Sequence, residues 1–248
     1  MAFVAGSSRG IGKAIASILL GEGCRVCITG RNSVALEETA KALRAEFGDK
    51  VFGIPGDLTD GAVIEDAFAA VNRKWGGPDI LIANVGSGKG KSGWRQDNVE
   101  WERLFNLNFF ASVRLAQAVI PYLQPRGGSI LFIASIVAIE ASSAPLPYSA
   151  AKAALLNYSK NLSRSVAADG IRVNCLAPGN VLFDGGSWDH HLKERREEVE
   201  RYISTEVPQK RFAAPEEIAK FAAYLVSPNS NFATGGCYIM DGGQTRRV

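Results

Sequence analysis

The chain is poor in the residues that build metal centres and covalent frameworks. It has 2 histidines and 4 cysteines among 248 residues. His190 and His191 are neighbours in sequence and would diverge on a helix, and no cysteine or carboxylate stands at ligand spacing from them. No metal is expected, and the two histidines read as residues that shape access to a site. Cys24 and Cys27 form a CxxC inside CRVCITG, a strand-like run in which residues three apart face opposite ways. Cys175 and Cys237 also lie in apolar strand-like runs, so all four read as buried spectators in a reducing compartment. The formal net charge is only +3 and no basic stripe is present, which argues against nucleic acid as a partner. No apolar run approaches the length of a membrane span, and MAFVAGSSRG has neither an apolar leader core nor a cleavage site. A cytoplasmic protein without a membrane partner is expected.

What the chain does have is rhythm. Seven apolar runs, AFVAG, CRVCITG, KVFGIPGD, DILIANVG, GSILFIAS, IRVNCLAPG and GCYIM, are separated by segments with helical spacing such as SVALEETAKALRAEF. The runs are apolar throughout instead of alternating, as in strands of a parallel sheet covered on both faces. The expected fold is therefore α/β: one domain over residues 1–248, a doubly wound parallel sheet of about seven strands with helices on both faces. One stretch breaks the pattern. Between Gly179 and Arg211 the chain is polar and longer than a strand–helix connection requires. It reads as a substrate lid or loop at about 181–210 carrying a short charged helix.

The first strand runs into Ala5-Gly6-Ser7-Ser8-Arg9-Gly10-Ile11-Gly12 and then a helix. The spacing GxxxGxG is a variant of the Rossmann dinucleotide fingerprint. Gly6 permits the tight turn, Gly10 lets backbone amides approach a diphosphate, and Gly12 allows close packing of helix on strand. Ser8, Arg9 and Ile11 lie in the same loop. The second strand ends in Gly30-Arg31-Asn32, with Arg31 where NAD-binding folds commonly place an acidic residue for the ribose hydroxyls. Arg31 and Arg9 suit a 2′-phosphate, so the expected cofactor is NADP(H) in preference to NAD(H).

Further along, PLPYSAAKAALLNYSK reads as a loop feeding a helix, and Tyr148 and Lys152, four apart, share a face of it. Such a pair alone is compatible with an ordinary solvated surface. In combination with the other stretches it is not isolated. AGSSRGIG, GDL at 56–58, ANVG at 83–86, FNLN at 105–108, IAS at 133–135, YSAAK at 148–152 and APG at 177–179 occur in order along nearly the whole chain. In this the chain resembles the short-chain dehydrogenase/reductase family, most of all its 3-oxoacyl-(acyl-carrier-protein) reductases. The resemblance implies a Rossmann-fold oxidoreductase that moves a hydride between NADP(H) and a ketone or secondary alcohol, assembled as a homotetramer or homodimer. It implies a catalytic tetrad of Asn108, Ser135, Tyr148 and Lys152. Asp57 and Leu58 would lie against the adenine, Asn84 and Gly86 along the ribose, and Pro178, Gly179 and Val181 against the nicotinamide. Tyr148 would be the proton donor and Lys152 would lower its pKa, which for a free phenol is about 10. Ser135 would hold the substrate oxygen, and Asn108 would support a proton-relaying water.

There are departures from that pattern. Ala5 and Ala83 replace the family's usual Thr and first Asn. The loop SGKGKSGW (87–94) is unusually basic, and its Lys89 and Lys91 could receive an anionic substrate; it misses the P-loop spacing by one residue. Arg126 could dock an acidic carrier, but Asp169 stands where basic residues are common among the carrier-linked reductases. Two other readings therefore stay open: a reductase of a sugar-like or other small polar carbonyl substrate, and a non-catalytic dinucleotide-binding sensor or scaffold.

Overall fold

The computed structural model describes residues 1–91 and 93–246, so Ser92 of the basic loop lies outside the described residues. Its strands are β1 (Ala2–Ala5), β2 (Val26–Gly30), β3 (Val51–Pro55), β4 (Ile80–Ala83), β5 (Gly128–Ile133), β6 (Ile171–Pro178) and β7 (Cys237–Met240). Each falls within one of the apolar runs. They form one sheet in the order β3-β2-β1-β4-β5-β6-β7, every neighbouring pair parallel. Parallel neighbours need long crossovers, and helices supply them: α1 (Gly10–Gly21), α2 (Ser33–Phe47), α3 (Gly61–Trp75), α4 (Asn98–Phe105), α5 (Ala111–Leu123) and α6 (Leu146–Val166). Two more helices, α7 (Ser187–Glu194) and α8 (Arg196–Glu206), lie in the polar excursion, where one was expected, and α9 (Pro215–Val226) leads to β7.

Strands β1, β2, β4, β5 and β6 are buried on both faces because most of their positions carry apolar side chains, and β3 and β7 at the sheet's edges are only partly covered. On one face Val4, Ile28, Ile82 and Leu131 pack under α1 and α9 through Ile15, Leu19 and Ile218. On the other, Phe3, Leu81 and Phe132 meet α3, α5 and α6 through Phe68, Leu115 and Leu155. Phe3 and Phe68 are fully buried and stack with ring centroids 4.5 Å apart. Removing one such ring would cost about 3–5 kcal/mol.

The cysteines depart from expectation. Cys27 and Cys175 are buried, but Cys24 precedes β2 and is half-covered, and Cys237 is exposed. Cys237 opens β7, which has a neighbour on one side only, so an outward-facing side chain there has no second layer above it.

The strand order reverses between β1 and β4. Their connections leave in opposite directions and open a crevice at the carboxyl ends of the strands. Ala5 pairs with Ala83, so Gly6 and Asn84 emerge side by side at its floor.

Candidate active site

A cavity of about 300 Å³ occupies the crevice. Gly6, Ser8, Arg9 and Ile11 line it from the glycine loop, Arg31, Asp57 and Leu58 from the ends of β2 and β3, and Asn84 and Gly86 from the end of β4. Nine of the residues expected around a dinucleotide thus face one space. Gly10 and Gly12 shape its floor instead. Gly6 and Gly10 have φ of 65° and 57°, in the left-handed region that a side chain disfavours. A Cβ on Gly12 would lie 2.4 Å from the Gly6 carbonyl oxygen and 2.6 Å from Asn84 Nδ2, which itself donates to that oxygen at 2.8 Å.

Residues that motif reading passed over hold this loop. Ser7 Oγ donates to Val4 O and accepts from Thr29 N, while Thr29 Oγ1 accepts from Gly6 N. Thr39 donates to Ser8 O. The result is a turn whose polar groups are satisfied from β2 and α2, leaving the first turn of α1 directed at the cavity. No side chain caps that helix end. Exposed backbone N–H groups there suit a diphosphate. The cradle fits a dinucleotide, with one condition. The ring of Phe183 lies 2.7 Å from where a Cβ of Gly10 would stand, so it must turn aside for a phosphate to reach the helix end.

One expected cofactor residue takes another position, and two that line the cavity also hold partners elsewhere. Asn32 caps α2, its Oδ1 accepting from Ala35 N at 3.0 Å, and does not line the cavity. Arg31 is exposed, with Nη1 4.0 Å from Asp57 Oδ2. Arg9 reaches across the chain, Nη1 donating to Gly185 O at 2.7 Å.

The candidate catalytic residues Asn108 and Lys152 lie beside Gly86. A Cβ there would fall 2.8 Å from Asn108 Oδ1 and 3.2 Å from Lys152 Nζ, so these side chains converge on a point that only glycine leaves open. Lys152 is buried and donates to Ile133 O at 2.8 Å. Burial drives its pKa down to about 8. Asn108 occupies a π-helical turn, Asn106–Phe110, between α4 and α5. Its amide is fully engaged: Oδ1 accepts from Ser87 N, and Nδ2 donates to Ser87 O and Leu104 O. The side chain therefore fixes the loop after β4.

Tyr148 stands on the first turn of α6, its N–H donating to Pro145 O. Ser135, two residues beyond β5, interacts with the Tyr148 hydroxyl. Burial raises the phenol above its ordinary value, and the bond to Ser135 opposes the rise. The lowering expected from Lys152 does not prevail, because burial is the largest influence on the phenol and the ammonium faces the Ile133 carbonyl. The loop after β4 covers Tyr148: a Cβ on Gly88 would touch its ring at 3.4 Å.

Pro178, Gly179 and Val181, at and beyond the end of β6, do not line the cavity and form a turn held by backbone hydrogen bonds. Gly179 N donates to Met240 O, Asn180 O accepts from Ala213 N, and Leu182 N donates to Ala213 O. Beyond it the excursion has its own small core, in which Trp188 stacks on Tyr202 at 5.3 Å and meets Phe212 at 4.6 Å. His191 lies edge-on to Trp188, and its Nδ1 is 3.0 Å from Arg195 Nη2. Among the described residues no cluster could hold a metal ion, and no helix is long and apolar enough to cross a membrane. Arg126, expected to be free for docking, lies before β5 at the opposite end of the strands from the crevice. It pairs with Asp79 at 3.2 Å and donates to Gly76 O and Pro78 O. Asp169, at the same end, accepts from Gln124.

A protein-family model described as enoyl-(acyl carrier protein) reductase matches residues 5–245. The 3-oxoacyl-(acyl-carrier-protein) reductase FabG of Vibrio cholerae serotype O1 is 32% identical over 244 residues, 98% of this chain and 96% of that protein. The protein of the same name from Chlamydia trachomatis serovar D is 32% identical over 243 residues, again 98% and 96%. Among solved structures, L-sorbose reductase from Gluconobacter frateurii, complexed with NADPH and L-sorbose, superposes with a TM-score of 0.93 at 32% identity, covering 100% of this chain and 97% of that one. An NADPH-bound short chain oxidoreductase from Pseudomonas aeruginosa PAO1 also gives 0.93, at 27% identity and the same coverage.

Proposed function

The chain belongs to the short-chain dehydrogenase/reductase family, and from that premise we propose that it is an NADP(H)-dependent ketoreductase whose catalytic residues are Ser135, Tyr148, Lys152 and Asn108. The observation that carries this reading is the convergence of Asn108 and the buried Lys152 on Gly86, which lines the dinucleotide crevice, with the Tyr148 ring against Gly88 two residues on. When bound, NADPH supplies the hydride. Its phosphates would be held by the glycine loop with Arg9 and Arg31, its adenine by Asp57 and Leu58, its ribose and nicotinamide by Asn84, Gly86, Pro178, Gly179 and Val181.

The chain's own residues do the rest. As a ketone carbon gains hydride, negative charge grows on its oxygen. Ser135 orients that oxygen by a hydrogen bond, and Tyr148 gives up its hydroxyl proton to it. A phenol raised above its ordinary value is fully protonated near neutral pH and so is ready as an acid. Lys152, with a pKa of about 8, is mostly charged there and stabilises the phenolate left behind. Asn108 keeps the loop after β4 in place through Ser87. The excursion acts as a substrate lid. Exposed Tyr224, Phe232 and Ile239, close to the open side of β7, support assembly of copies of the chain into a dimer or tetramer.

For the substrate, the curated relatives support a 3-oxoacyl thioester, free or carrier-linked. A second reading, a sugar-like polar ketone, is favoured by a specific observation: Arg126, the expected carrier contact, lies at the opposite end of the strands from the crevice and is taken up by Asp79 and two carbonyls. Rates of NADPH oxidation with acetoacetyl-CoA, a 3-oxoacyl carrier protein and L-sorbose separate the two. With the preferred ketone, Tyr148→Phe should lower kcat by about 10³-fold while NADPH binding stays within twofold. Turnover within tenfold of the parent would reject the tetrad.

A further inference from the structure

The turn at 178–181 is braced from two directions by side chains that no motif marks. Gln244, four residues beyond β7, accepts from Asn180 N through Oε1 at 3.0 Å. Its Nε2 donates to the Tyr202 hydroxyl at 3.2 Å. Asn180 Nδ2 donates to the same hydroxyl at 3.0 Å. The three groups close a ring of hydrogen bonds linking the turn, helix α8 and the C-terminal tail. The tail is itself held, with Gly243 N and Thr245 N both donating to the Asp241 carboxylate at 2.8 and 2.7 Å. The fit is close: a Cβ on Gly179 would lie 2.4 Å from Gln244 Oε1. Tyr202, in turn, is fixed by stacking on Trp188 in the core of the excursion.

We propose that Gln244 and Tyr202 are positioning residues that hold the 178–181 turn against the nicotinamide and couple its placement to the lid helix α8. The inference rests on the reading of that turn as the nicotinamide seat. Neither residue touches the reacting atoms; each acts through Asn180. Without Gln244 the Asn180 N–H loses its partner, and without the Tyr202 hydroxyl two donors lose their common acceptor. A turn free to shift by about 1 Å misaligns a hydride donor, a displacement that can cost as much as ~100-fold in rate. The adenosine end, held by the glycine loop, should not register the change.

The test compares Gln244→Ala, Tyr202→Phe and Gln244→Glu in the full-length protein. Steady-state kinetics would be run alongside binding of 2′,5′-ADP, which lacks the nicotinamide, and the emission of bound NADPH. The expected result is a fall in kcat of about tenfold for the first two variants, with altered NADPH emission and 2′,5′-ADP affinity within twofold. Gln244→Glu keeps the acceptor for Asn180 N and can accept from the Tyr202 hydroxyl, so it should recover most of the rate. Unchanged kcat and emission in both Gln244→Ala and Tyr202→Phe would overturn the inference. A loss of 2′,5′-ADP affinity parallel to the loss of kcat would overturn it too, since that marks general loosening. The underlying reading fails separately, if Tyr148→Phe retains turnover.

Discussion

The two ends of the crevice are made in opposite ways. The phosphate end is made by leaving side chains out: Gly6, Gly10 and Gly12 let backbone meet backbone, and a single methyl at Gly12 would stand 2.4 Å from a carbonyl oxygen. The other end is made by putting side chains in. Trp188, Tyr202 and Phe212 form a small core of their own, and Gln244 and Asn180 brace the adjoining turn. One end should therefore fail when atoms are added and the other when atoms are taken away. On the proposed reading the first would hold what all dinucleotides share, and the second would face the part of the ligand that differs from one substrate to another.

The most severe way to break the comparison is Gly12→Ala. The added methyl must push Gly6 and Asn84 apart, and NADPH affinity should fall at least about 100-fold in a fluorescence titration, with about 1–3 kcal/mol of stability lost to overpacking. Retained affinity would mean that the phosphate end is more pliant than its geometry says. Next comes Trp188→Ala at the other end. Losing the stack on Tyr202 should raise KM for the ketone about tenfold and leave NADPH affinity within twofold, as read from initial rates and titration. A change confined to NADPH would erase the distinction between the ends. The smallest effect sharpens the boundary of the cofactor site. Asn32→Ala removes a helix cap worth about 1 kcal/mol, and thermal unfolding should shift by about 2–4 °C. The preference for NADPH over NADH should be unchanged, since Asn32 does not line the cavity.

How much could be read from the chain alone follows the same division. Strands announce themselves by apolar runs, and glycines at fixed spacing declare a backbone constraint that is local. Tyr148 and Lys152 declare a shared helix face for the same reason. The arrangement at 182–185 was not legible, because Arg9 and its partner Gly185 lie 176 residues apart and nothing in either neighbourhood specifies the other. The same holds for Gln244 and Asn180, which are 64 apart. Thr29 and Ser7 were hidden by a different cause: small hydroxyl residues are common in strands, and only the pairing of β1 with β2 brings them together. The phenol's direction of shift was misread because opposite charge is visible in a sequence and burial is not.

The π-helical turn at Asn106–Phe110 winds one residue too many into an otherwise continuous rod of α4 and α5. Deleting one residue of that turn would let the rod relax into a regular α-helix, with its two flanking segments close to their present phase but without the local widening that presents Asn108 to Ser87. Asn108 would then lose Ser87, and the loop roofing Tyr148 would lose its anchor. A stretch of helix that tolerates most exchanges of surface residues should thus be intolerant of a change in its length.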